Sequence, residues 1–74
     1  MLAAEVIHWE DHYGFDHWTR LKDIEHVPHI IKSIGWIIHE DDKSVTLTSC
    51  RSSGGMVTHV TLILKSCIVK RKAL

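Results

Sequence analysis

No acidic residue occurs after Asp42. The last 32 positions carry six bases (Lys43, Arg51, Lys65, Lys70, Arg71 and Lys72), whereas residues 1–42 hold all nine acids against Arg20, Lys22 and Lys32. The halves are therefore −6 and +6 while the 74-residue chain is neutral. Such a split suits either two halves that fold together and neutralise each other, or subunits joined acid to base. Cysteine is scarce too. Cys50 and Cys67 are too few for a disulfide framework and are expected to be small buried or half-buried residues in a reducing compartment. No apolar run reaches the roughly 18–20 residues that cross a bilayer, and the N-terminus lacks the pattern of a signal peptide. A cytoplasmic chain with no membrane partner is expected. CxxC, HExxH, internal repeats and a glycine-rich phosphate loop entering a helix are all missing, which removes the common metal-hydrolase and nucleotide-hydrolase signatures.

What is present reads as strands. Ser33 to Leu47 (SIGWIIHEDDKSVTL) places two apolar runs around the polar Glu40-Asp41-Asp42-Lys43, the pattern of a β-hairpin. Before it, Ala4 to Asp11 alternates, with Ile7 and Trp9 on one face and Val6, His8 and Glu10 on the other. His12 to Asp16, with Gly14, is a turn. Thr19 to His26 fits about two helical turns sharing Leu21 and Ile24 on one face, ended by Val27-Pro28. From His29 a long strand alternates through His39, and Gly35 inside it marks a bend, a bulge or a close neighbour. A threonine-rich, half-exposed third strand follows at Ser44 to Ser49, then a loop at Arg51 to Gly55. Met56 to Lys65 is the fourth strand, with Val60, Leu62 and Leu64 on one side and His59, Thr61 and Ile63 on the other. Lys65-Ser66-Cys67 breaks the pattern for one turn before a short basic fifth strand, Ile68 to Lys72.

The expected architecture is all-β with one short helix: a single domain over residues 1–74 forming a five-stranded, Sm-like small barrel. So small a core cannot cover 45% hydrophobic residues and three tryptophans, so self-association is expected.

The order Trp9-x-Asp11, Trp18, Ser33-x-Gly35-Trp36, the acidic tip Glu40-Asp41-Asp42, and Ile63-x-Lys65-Ser66-Cys67-Ile68 resembles short, mostly uncharacterised proteins of bacteriophages and prophages. Leu64 stands where that group commonly has a proline. Several small β-rich phage proteins sequester bacterial immune nucleotide signals. By fold-level analogy, the resemblance implies a sponge that binds a cyclic oligonucleotide or ADP-ribose-type molecule without cleaving it in the host cytoplasm.

The residues offer several chemistries of unequal weight. Seven histidines suggest a metal, with His26, His29 and His12 to His17 beside Asp11 or Asp16, but Pro28 between His26 and His29 spoils a shared helical face. No metal or other cofactor is expected. Cys50 or Cys67 with His59 and Asp11 could form a nucleophilic set, yet a chain this rich in His and Ser offers such triples by chance, and no enzyme is expected. Binding is better supported. Tyr13, Phe15 and the tryptophans offer faces for a base, the second-half cations offer charge for phosphate, and Ser52 to Gly54 offer hydrogen-bond donors. Trp9 and Trp36 are read as core and Trp18 as the exposed platform, while Lys70-Arg71-Lys72 reads as a solvated tail. The candidate ligand-binding set is Trp18, Arg51, Ser53, Lys65 and Lys70, at an interface between copies because one small barrel cannot enclose a pocket of about 300 Å³. The alternatives are an RNA- or single-stranded-DNA-binding module, disfavoured by neutral net charge, and a structural subunit with no small ligand.

Overall fold

A computed structural model describes residues 2–12 and 17–74. The expected turn around Gly14, the rings of Tyr13 and Phe15, and Asp16 lie outside these residues.

Five strands form one antiparallel sheet: β1 (Ala4–Asp11), β2 (His29–Glu40), β3 (Ser44–Arg51), β4 (Val57–Leu64) and β5 (Ile68–Ala73), ordered β4-β3-β2-β1-β5. The chain is all-β, and its strands fall where alternation predicts them. β4 and β5 do not pair, so the sheet is not closed. Single 3-10 turns at Leu21–Asp23 and Lys65–Cys67 are the helical pieces among the described residues.

The first of these turns replaces the two-turn helix expected over Thr19–His26. Arg20, at its start, makes no side-chain cap, and Leu21 is 86% exposed. An amphipathic helix needs a surface on which to bury its apolar face. Leu21 has none.

Register assigns the inner face. Ile7, Val45, Leu47 and Ile63 are buried, with Trp9, Ile37 and Ile68 packed against them. Ile7 lies opposite Ser33, Glu5 opposite Gly35 and Trp9 opposite Ile31, so the inward positions of β2 are Ile31, Ser33, Gly35 and Ile37. Trp36 therefore falls on the other face, half-buried, rather than in the core as alternation suggested. Both faces of β2 are apolar, and period two alone cannot choose between them. The indole N–H of Trp9 donates to Ser33 Oγ at 3.0 Å, satisfying the polar edge of a partly buried ring.

Gly35 answers to a close neighbour. A Cβ there would collide with the backbone carbonyl oxygen of Thr48 and come within 3.0 Å of Leu47 Cδ1. β3 is also more buried than its threonines suggest, with Ser44, Val45, Leu47 and Thr48 all buried because β2 and β4 flank it.

A bulge between Ile37 and His39 shifts the phase of β2, so that Glu40 pairs with the buried Val45. Asp41 then turns the chain. Its Oδ1 accepts the backbone N–H groups of Lys43 and Ser44, each at 2.8 Å, which holds its pKa down at about 2. The acidic tip foreseen in the sequence is a side-chain-capped turn.

The protein is elongated. Its radius of gyration is 15.4 Å, against about 11 Å for a compact chain of this length. β2 pairs with β3 through Trp36 and Thr48, and its earlier half pairs with β1 alone, so the β3–β4 hairpin beyond Thr48 has no third strand. Every residue from Ser49 to Val60 is exposed.

Candidate functional site

The two halves of the chain meet through an ion cluster on the inner face. Arg71 on β5 lies opposite Ile7 and so points inward beside Glu5. Its Nε donates to Glu5 Oε1 at 2.8 Å and its Nη1 to Glu40 Oε2 at 3.0 Å, while Lys65 Nζ stands 2.9 Å from the same Glu40 oxygen. Arg71 also reaches the second oxygen of each carboxylate, making a two-sided fork. Arg71, followed by Lys65, lowers the Glu40 pKa to about 2, and Glu5 with Glu40 keeps Arg71 firmly protonated. Second-half bases thus neutralise first-half acids within one molecule. The basic tail is solvated at Lys70 and Lys72, but Arg71 is a structural clamp. The bulge that turns Glu40 inward carries no sequence signal, so this role was hidden.

The hairpin end of β3 and β4 gathers a different set. The Arg51 guanidinium lies over the Trp36 ring, 5.1 Å from its centroid, a cation–π arrangement. Among the described residues no carboxylate pairs with Arg51, so the N–H groups at its rim are not committed to an acid. Beside it the chain closes through Ser52. Ser52 N donates to the Met56 carbonyl oxygen at 2.8 Å, and Met56 N donates to Ser52 Oγ at 3.0 Å. Gly55 takes φ +86°, a conformation that favours glycine. Ser53 is exposed at this tip. A shallow apolar cleft of about 340 Å³ borders Arg51, lined also by Cys50, Met56, Val57 and Thr58. Cys50, expected buried or half-buried, is exposed on this hairpin, and Cys67 is half-buried.

Where the hairpin parts from β2, a second cleft of about 410 Å³ opens, with Ser33, Ser49, His59 and Thr61 along its walls and Leu47 among its lining residues. Thr48 anchors the divergence: its buried hydroxyl donates to the Thr58 carbonyl oxygen at 2.6 Å, next to His59 with φ +54°. A third cleft, of about 490 Å³, collects Glu10, Asp11, His12, His26, Ser66 and Cys67 between the end of β1 and the second 3-10 turn. Among the described residues no three His, Cys, Asp or Glu side chains stand in an arrangement able to hold a metal ion. His29 is 3.7 Å from Glu25.

The five candidate residues fall into three places. Arg51 and Ser53 share the hairpin end. Lys65 and Lys70 sit on the second 3-10 turn and β5, with Lys65 engaged by Glu40 and Lys70 opposite His8. Trp18 lies fully exposed in the connection between β1 and β2. Among the described residues no hydrogen bond or ion pair joins one place to another. Alternation missed the use of Trp36, whose outer face meets Arg51.

Comparison with protein-family models, curated proteins and solved structures found no match to this chain.

Proposed function

We propose that the protein is a non-enzymatic binding protein of bacteriophage type. It is a homo-oligomer of Sm-like small barrels, each left open between β4 and β5, that sequesters a nucleotide-derived immune signal, of the cyclic oligonucleotide or ADP-ribose class, in the host cytoplasm. The observation that carries the reading is Arg51. It is a cation lying over an indole, with no carboxylate partner among the described residues, beside an exposed serine–glycine turn and an apolar cleft. Such a group meets a phosphate with its free N–H edge, and the cleft and aromatic surface accept a base. The one-turn break before β5 and the Arg71 bridges from β5 to the end of β2 support the barrel reading. Trp18 and Lys70 are exposed enough to serve the same ligand, whereas Lys65 would have to be shared with Glu40.

The test is calorimetric titration with cyclic dinucleotides, cyclic trinucleotides and cyclic ADP-ribose isomers. Wild-type protein binds one class, and Arg51→Ala loses at least tenfold in affinity, about 1.4 kcal/mol, with an unchanged circular dichroism spectrum. Equal affinity in the variant removes Arg51 from the site.

A structural subunit without a small ligand is the second reading, favoured by the amount of apolar surface left uncovered. It predicts a defined oligomer that binds none of these molecules.

A further inference from the structure

The sheet ends in two free edges, and they differ in chemistry. β5 carries Lys70, Arg71 and Lys72 within six residues, and edge lysines repel a second strand of the same kind. β4, VTHVTLIL, bears no Lys, Arg, Asp or Glu. Its outer face exposes Val60, Leu62 and Leu64 at 50%, 61% and 50%. A long, uncharged, apolar edge with unpaired backbone groups is a template for another strand.

The surface area says how much is left to cover. The chain exposes 5976 Å², whereas a compact monomer of 8.5 kDa exposes about 4,650 Å². The excess of about 1,300 Å² exceeds the about 800 Å² per partner that a stable interface of standard size buries.

We propose that the edge of β4 pairs antiparallel with β4 of a second copy about a two-fold axis at Leu62, joining two sheets into one of ten strands. This deepens the self-association in the proposed function and rests on that part of it alone, not on the ligand. Val60 to Leu64 is the unbroken part of β4, since pairing with β3 skips His59. Centring there sets Leu62 against its own copy and Val60 against the second copy's Leu64, so apolar side chains meet across the seam. The same register carries the hairpin past the end of the second copy's β4. Arg51, opposite Val57, then lies about two strand spacings, roughly 10 Å, from the second copy's Lys65–Cys67 turn. Candidate residues that one chain keeps apart converge between two.

Sedimentation of the ligand-free protein tests this. Wild-type protein has twice the chain mass. Leu62→Lys, at an exposed position, sediments as a folded monomer, while Val69→Lys on the β5 edge remains a dimer. If Leu62→Lys does not fold, Leu62→Cys in a Cys50→Ser, Cys67→Ser background replaces it, and a cross-linked dimer on oxidation is the expected result. A wild-type monomer, a ring of three or more copies (which needs two different edges), loss of the dimer in Val69→Lys alone, or no cross-link in the Leu62→Cys variant would overturn the proposal. A dimer that binds no nucleotide leaves the interface standing and removes only the ligand.

Discussion

Gly35 and Glu40 hold the sheet in opposite ways, one by having no side chain and the other by where its side chain ends. Gly35→Ala drives a methyl group into the Thr48 carbonyl, a backbone atom that cannot step aside as a flexible side-chain end could. The expected cost is about 1–3 kcal/mol, as for other overpacked sites, and a denaturant titration reads it as a lower midpoint. Glu40 works through charge. Its folded pKa, about 2, lies below its ordinary value of 4.5, so its stabilisation is complete above 4.5 and is lost as the pH falls toward 2. Asp41 moves in the same direction from 3.8. The melting temperature therefore falls through this window in the wild type. Glu40→Gln is less stable at pH 7 and falls less steeply on acidification; a parallel slope would mean that the Arg71 clamp contributes nothing to acid sensitivity. Arg51 differs from both, because among the described residues no carboxylate holds it, and the binding role proposed for it rests on that difference.

The strands were legible in the sequence because alternation and turn residues agree. Ala4 to Asp11 and the Glu40–Lys43 turn appear where period two and the acidic tip place them. What alternation could not supply was the choice of inner face in β2, where Ile30, Ile34, Trp36 and Ile38 compete with Ile31 and Ile37. Register with β1, which sets Ile31, Ser33 and Gly35 opposite Trp9, Ile7 and Glu5, assigns it. The Ile37/His39 bulge was equally invisible, and with it Glu40's partnership with Arg71. The helix expected at Thr19–His26 failed because Leu21 has nothing to pack on. Of the candidate site, Arg51 and Ser53 are legible as a cation and a donor in a loop, but the approach of Arg51 to the Trp36 ring is not. The β3–β4 hairpin carries a prediction of its own. His59, at φ +54°, occupies a region that costs a side-chain-bearing residue about 1–2 kcal/mol. His59→Gly should therefore raise the thermal midpoint. A lower midpoint would show that the imidazole, on the wall of the cleft between β2 and the hairpin, contributes more than the backbone loses.

At the scale of the whole molecule, four buried aliphatic side chains among the described residues make a small core, and ion pairs between an acidic and a basic half supplement it. Much of the remaining apolar surface lies on β4 and the hairpin that extends from it, which is also where Arg51 stands. The proposed interface and the proposed binding cation therefore share one hairpin. No described helix is long and apolar enough to cross a membrane. The central claim is that this surface holds a nucleotide-derived anion. Native mass spectrometry of the purified protein, alone and with cyclic dinucleotides, cyclic trinucleotides and cyclic ADP-ribose isomers, tests it most directly. The expected result is an oligomer that gains the mass of one ligand class in the wild type and none in Arg51→Ala. An oligomer that gains no ligand from any of the three classes would contradict it.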